Sequence, residues 1–243
     1  MLELGFKSDK GIRRGNNEDA CFVIPSSDVY IVADGVGGAS SGEIASRTAV
    51  SRIADYVDKH PLNGLKDEEA VIAYFLECLK EVNAEIYESA HKFKENAGMA
   101  TTVVIAYVPG DVAFVVNVGD SRGYVCRNGE MTQITEDHTY VNTLVKRGII
   151  TPEEAKNHKE KNKITRALGG ESTIEPDFFK IEIEQGDVIL LCSDGLYGEV
   201  DDASMAKVLS DKGSSMSEAC TKLVTIANRH GGRDNITVVA LRV

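Results

Sequence analysis

Residues 101–118 read TTVVIAYVPGDVAFVVNV, two apolar runs joined through Pro109-Gly110-Asp111. Val, Ile, Tyr and Phe favour strands, and a Pro-Gly pair marks a turn. A link this short joins only antiparallel neighbours, because parallel strands need a crossover of about a dozen residues or more. A second hairpin follows: SRGYVCR (121–127) and EMTQIT (130–135) flank Asn128-Gly129, the strongest short hairpin signal in the chain. Any fold for this chain must therefore contain antiparallel sheet at its centre.

The flanking segments supply more strands and the helices to cover them. Residues 2–7, 20–24 and 29–33 read as strands. Ser40-Ser41-Gly42-Glu43 is a capping box for a helix whose stripe is Ala45, Ala49, Ile53 and Val57. A second helix starts near Asp67, with Val71, Phe75, Leu79, Val82 and Ile86 on one face. Residues 137–168 break the pattern. TYVNTLVKRG is a short helix ended by Gly148, and Thr151-Pro152-Glu153-Glu154 starts another before the very polar NHKEKNK. This stretch reads as a surface insertion and not as a second domain. Strands return at 177–184, 187–193 and 235–243, with helices at 202–210 and 216–230. The expected class is α+β, one domain over 1–243, with two antiparallel sheets and helices outside them.

Composition narrows the function. The chain has 243 residues and a net charge of −11, so it lacks the broad basic field that nucleic acids or anionic membranes require. No apolar stretch approaches the roughly 20 residues of a membrane span, and the N-terminus lacks a signal peptide's apolar core. The five cysteines are odd in number and widely spaced, without CxxC. They read as buried free thiols in a reducing cytoplasm.

Chemistry is concentrated in aspartates beside glycines. YIVADGVGG (30–38) places Asp34 after an apolar run, VVNVGDS (115–121) places Asp120 after Gly119, and VILLCSDG (188–195) places Asp194 before Gly195. Asp234, in GGRDNITVVALRV, opens an apolar run instead. Each alone is also ordinary turn chemistry. If the strands are neighbours the carboxylates converge, and like charges in a small volume call for a divalent cation. Oxygen-only ligands favour Mg²⁺ or Mn²⁺ over zinc. GIRRGNNEDA (11–20) adds two arginines, suited to phosphate oxygens, ahead of Glu18 and Asp19; a charged surface loop is the alternative. A dinucleotide fingerprint would need a third glycine after Gly35 and Gly37, where Ser40 stands, and no Gly-Lys-Ser/Thr phosphate loop occurs.

Eight motifs in order then carry a resemblance: Arg14 to Asp19 (R-x-x-N-x-D), ADGVGG (33–38), GMATT (98–102), VGDSR (118–122), DHT (137–139), ITRALG (164–169), SDGL (193–196) and GGRDNIT (231–237). The chain resembles the metal-dependent serine/threonine protein phosphatases of the PPM (PP2C) family, in their compact bacterial form. The resemblance implies a four-layer α/β/β/α sandwich. It implies hydrolysis of phosphoserine and phosphothreonine by a water bridging two ions of Mn²⁺ or Mg²⁺. Asp34 would bridge both ions, the Gly35 carbonyl would bind one, and Asp194 and Asp234 would hold the other. Asp120, with Asp194, would take a third; Asp19 would anchor metal-bound water, and Arg14 would hold the substrate phosphate. Residues 137–168 would form a mobile flap. Phosphorylated proteins, including a Ser/Thr kinase and its substrates, are the implied partners of a cytoplasmic monomer. Glu18 stands where members carry Glu or Gln. Val36 stands where eukaryotic members carry a histidine suited to protonating the leaving group. Water is the preferred donor in its place, with His138 and His158 as alternatives. Cys192 reads as a structural thiol. A non-catalytic adaptor would be signalled by loss of a core aspartate, and all are present.

Overall fold

The computed structural model describes residues 2–37 and 41–243. The chain runs through β1 (Glu3–Asp9), β2 (Asp19–Ile24), β3 (Val29–Val36), α1 (Ser41–Lys59), α2 (Glu68–Lys92), β4 (Ala100–Thr101), β5 (Val103–Tyr107), β6 (Val112–Val118), β7 (Arg122–Arg127) and β8 (Glu130–Gln133). It continues through α3 (Tyr140–Lys146), α4 (Pro152–Lys156), β9 (Asp177–Glu182), β10 (Val188–Cys192), α5 (Asp194–Tyr197), α6 (Asp202–Leu209), α7 (Met216–His230) and β11 (Ile236–Arg242). One sheet has the order β1-β11-β10-β7-β8; the other has β2-β3-β5-β6-β9, with β4 on the end of β3. Every described pairing is antiparallel. Both expected hairpins form. Asn128 (φ 53°) and Gly129 (φ 83°) are both left-handed, as a tight turn matched to strand twist requires.

Three apolar layers explain why the central strands are hydrophobic at every position. Alternate residues point to opposite faces, and both faces are covered. Ile31, Ile105 and Val116 meet the α1 and α2 stripes through Ala49, Ile53, Phe75 and Leu79. Their neighbours Tyr30, Val32, Val104 and Val115 pack between the sheets against Ile189, Leu191, Val239 and Leu241. On the far side Leu190, Cys192, Val238 and Ala240 meet Leu209, Leu223 and Ala227 from α6 and α7. Each fully buried Val, Leu or Ile contributes about 1.5–3 kcal/mol. The sandwich is thus α/β/β/α, as the resemblance implies.

Local differences follow from hydrogen bonding. The expected 101–108 strand splits at Thr102, which bonds back to Asp34 and leaves the ladder. Asp34 lies inside β3, two residues before its end, because β4 pairs with Gly35 and Val36. A one-turn helix, α5, starts at Asp194, between the expected strand at 187–193 and the expected helix at 202–210. The Ser40 end of the first capping box lies outside the described residues. In the 137–168 segment the caps form as read. The α3 helix ends in a Schellman motif, with Gly148 (φ 67°) donating to the Val145 carbonyl and Ile149 to that of Leu144. Thr151 and Glu154 close the capping box of α4.

Gly5 lets β1 slide under the first turn of α7. A Cβ there would sit 2.2 Å from the Met216 carbonyl carbon, an impossible approach to backbone. Gly5→Ala is expected to destabilise the fold by about 2–3 kcal/mol. Urea denaturation checks it, and an unchanged midpoint would contradict the close packing.

Candidate metal centre

The site is built at one end of the two sheets from segments far apart in the chain. β2 and β3 pair so that Asp19 stands directly opposite Asp34. The backbone of Asp34 is gripped on both sides. Its N–H donates to Thr102 Oγ1 (3.0 Å), and its carbonyl accepts from the Thr102 N–H (2.9 Å) and Thr101 Oγ1 (2.9 Å). The next residue must be glycine, since a Cβ on Gly35 would fall 2.0 Å from the Gly42 carbonyl oxygen. Asp120 follows Gly119 (φ 110°) in the turn between β6 and β7, and its carbonyl accepts from Tyr197 Oη (2.9 Å). Asp194 opens α5, and Asp234 immediately precedes Asn235 and β11. Asp234 Oδ1 accepts from the Asn235 N–H (2.8 Å), and its Oδ2 accepts from Arg14 Nη2 (2.7 Å).

The carboxylates lie within reach of one another's charge. Burial, then the charges of Asp19, Asp194, Asp120 and Asp234, push the Asp34 carboxyl well above the ordinary range. Burial and the neighbouring aspartates likewise raise Asp19 to about 7, Asp120 to about 7 and Asp194 to about 6. Asp19 Oδ1 and Asp194 Oδ1 are buried without a hydrogen-bond partner. Unsatisfied buried oxygens on crowded acids are the donor chemistry of a hard divalent cation. Among the described residues no three acidic, His or Cys side chains already close into a metal cage. The fit rests on convergent charge and on those two open oxygens. Every aspartate singled out in the sequence is brought to this end of the sandwich, with Gly35 in the strand beside them and half-exposed Arg14 at the rim.

Sequence reasoning quoted but did not assign the residues that hold the aspartates. Ser193 Oγ donates to Asp19 Oδ2 (2.7 Å) and accepts from the Thr237 N–H (3.0 Å). Asn235 accepts from the Glu18 N–H (2.8 Å) and donates to the carbonyls of Lys10 (2.9 Å) and Asn16 (2.8 Å). Thr102 and Ser121 share a hydroxyl hydrogen bond of 2.7 Å. Asp137 takes a bidentate grip on Arg122 (2.8 and 2.7 Å), whose guanidinium lies 3.6 Å over the Tyr197 ring. Their signal lay in SDGL, GGRDNIT, GMATT and DHT, short polar side chains fixed beside the aspartates.

The alternative proton donors separate. His138 is buried, its Nδ1 accepts from the Gly119 N–H (3.1 Å) and its Nε2 meets Asp177 Oδ2 (3.1 Å). Burial holds its pKa below the usual range. It therefore braces the Asp120 turn, and neither ring nitrogen is free. His158 lies beyond α4 against the Tyr140 ring. Cys192 is fully buried with its thiol pKa pushed up by that burial, so it is not a nucleophile.

Acidic oxygens at the end of a two-sheet sandwich, with an arginine fork beside them, define a phosphate-handling protein of the α/β/β/α class. The chain belongs to the protein phosphatase 2C family, whose family model matches residues 10–231. It is 40% identical over 237 residues to the serine/threonine phosphatase stp of Listeria innocua, covering 96% of this chain and 93% of that protein. The serine/threonine phosphatase of S. agalactiae superposes with a TM-score of 0.92 at 34% identity, covering 100% of both chains. The catalytic domain of the phosphatase PstP, solved with two manganese ions, superposes at 0.85 with 36% identity over 99% of this chain and 97% of its own.

The raised carboxyls make stability depend on pH. In the unfolded chain an aspartate titrates near 3.9, while in the folded chain these groups hold their protons up to about pH 6–7. Folding therefore takes up protons in that window, and stability falls as pH rises through it. The metal-free protein is expected to melt lower at pH 7.5 than at pH 5, with Mn²⁺ restoring the loss at pH 7.5. Melting curves with and without EDTA check this, and a flat, cation-insensitive profile would contradict the cluster.

Proposed function

We propose that this chain is a protein serine/threonine phosphatase whose aspartate cluster seats Mn²⁺ or Mg²⁺, two ions at its core and a third beside them. The observation that carries the reading is Asp34 under the charges of four other aspartates, with oxygens of Asp19 and Asp194 left open. Asp34 would lie between the two core ions, with the Gly35 carbonyl on one and Asp194 and Asp234 on the other. Asp120 and Asp194 would hold the third. When bound, such a pair supplies a nucleophilic water at neutral pH and offsets charge on the phosphoryl oxygens.

The chain's own groups do the rest. Arg14 gives one N–H to Asp234 and keeps the remainder of its fork for phosphate oxygens. The Asp234 bond orients that fork before substrate arrives, which reduces the ordering required on binding. Asp19 is fixed through one oxygen by Ser193, which leaves its other oxygen to accept a hydrogen bond from, and so anchor, a water of the metal centre. Val36 has no ionisable proton to give and His138 is engaged on both sides, so solvent protonates the departing serine or threonine oxygen. No phosphocysteine forms, because the thiols are buried or raised in pKa, as at Cys21 (about 11) and Cys78 (about 12) through burial.

We read residues 1–243 as one domain and 137–168 as a flap beside the site. Its partners would be phosphorylated proteins, a Ser/Thr kinase and its targets among them, met by a cytoplasmic monomer. No helix of the described residues is long and apolar enough to cross a membrane.

Phosphate release from a phosphothreonine peptide with Mn²⁺, beside EDTA and Asp194→Ala, tests the reading. Asp194→Ala is expected to cut turnover by more than the roughly 10–100-fold loss of an outer-shell partner, and to weaken Mn²⁺ binding in calorimetry. Wild-type Mn²⁺ affinity in that variant would overturn the site. Deleting residues 140–160 should change peptide turnover while the sandwich stays folded by circular dichroism; unchanged turnover would remove the flap's role.

A further inference from the structure

Two loops cross beside Arg14. The Ile12 and Arg13 N–H groups both donate to the Gly232 carbonyl (2.8 and 3.0 Å), and Asn235 grips the Lys10 carbonyl from the same side (2.9 Å). The crossing is too close for side chains at its centre. A Cβ on Gly11 would fall 2.1 Å from the Asp234 carbonyl oxygen, and one on Gly232 would fall 2.9 Å from the Ile12 nitrogen. The side chains that surround it therefore project outward from a pinned backbone. They are Lys10, Ile12, Arg13, Arg14 and Arg233.

This rim is basic on an acidic protein. Acidic residues outnumber basic ones 38 to 27, yet the Arg13 side chain has no ion pair or hydrogen bond among the described residues. The Arg233 side chain is 76% exposed, and its one ion pair among the described residues is with the buried Glu199 side chain, at 3.3 Å. Ile12, between the cations, is 64% exposed. Two cations and an apolar side chain thus stand exposed on a hydrogen-bonded crossing, one residue from Arg14.

We propose that this rim selects phosphorylated protein segments that carry aspartate or glutamate beside the phosphorylated residue. The inference rests on the phosphatase reading and extends it to the substrate's flanking sequence. The aspartate cluster repels an acidic segment, and the rim supplies the local attraction that brings one in. Arg13 meets the flanking carboxylate, Ile12 packs against the segment's aliphatic carbons, and Arg14 remains for the phosphate. Because the loop backbone is already fixed, little ordering opposes the contact.

The test compares phosphothreonine peptides identical except for flanking Asp/Glu, Ala or Lys residues, by kcat/KM with Mn²⁺ and by fluorescence anisotropy. The intact protein should favour the acidic peptide over the basic one several-fold, and less so as salt screens the pair. Arg13→Glu should shrink or reverse that ratio by about 3–10-fold, the scale of an exposed charge contact. Arg13→Lys should retain it. A ratio in Arg13→Glu equal to that of the intact protein, or no preference in the intact protein, overturns the proposal. Turnover of p-nitrophenyl phosphate by the intact protein tests the phosphatase reading separately. If that fails, the anisotropy comparison still decides whether the rim reads acidic segments.

Discussion

Five aspartates drawn to one end of a sandwich repel one another, and most of what surrounds them exists to hold them there. The restraint comes from the backbone and from short polar side chains. Thr101 and Thr102 clamp the Asp34 peptide, Ser193 ties Asp19 to β11, and Asn235 stitches the first loop to the last strand. None of these groups carries charge, so none neutralises the cluster. The repulsion stays available to whatever cation enters, which is the arrangement expected of a binding site and not of a structural ion-pair network.

The outer supports differ in kind. Arg122 is charged and offsets part of the crowding at Asp120 and Asp194, while Asp137 and the Tyr197 ring hold its guanidinium in place. Tyr197 lies on the turn of helix that begins with Asp194 and bonds to the Asp120 carbonyl, so one guanidinium stack spaces two of the aspartate segments. His138 fastens the same turn from the other side through Gly119. The entrance to the 137–168 segment is therefore bonded to the site's floor at adjacent residues.

What was legible in the sequence was local. Asn128-Gly129 announced its hairpin because only left-handed backbone fits there, and Ile53 or Leu79 announced helix faces through their spacing. Asp34, Asp120 and Asp194 stood out because each ended an apolar run beside a glycine, and Asp234 because it opened one. Long-range register was not legible. Nothing in DACFVI says that Asp19 will face Asp34, since a shift of pairing leaves the composition unchanged. Thr102 was read as part of a strand because its β-branched side chain suits one, and its bonds to Asp34 and Ser121 depend on tertiary position. The short α5 was missed because one turn of helix leaves no periodicity to detect. The basic rim was half visible: the arginines were plain, but their crossing with Gly232 was not.

β11 lies between β1 and β10, so the last strand of this sequence is an interior strand of its sheet, one in from the β1 edge. It pairs with the strand nearest the N-terminus, Glu3 opposite Arg242, and Asp234 leads into it. During synthesis the β2–β6 sheet and its two helices can assemble early, while β1 waits for a partner more than two hundred residues away in the sequence. Such distant pairing slows folding. A nascent chain consequently passes through a long interval with a gap in one sheet and an incomplete ring of acids. Cation binding then becomes a late event, and any premature stop before the last strand leaves a protein that is neither closed nor active.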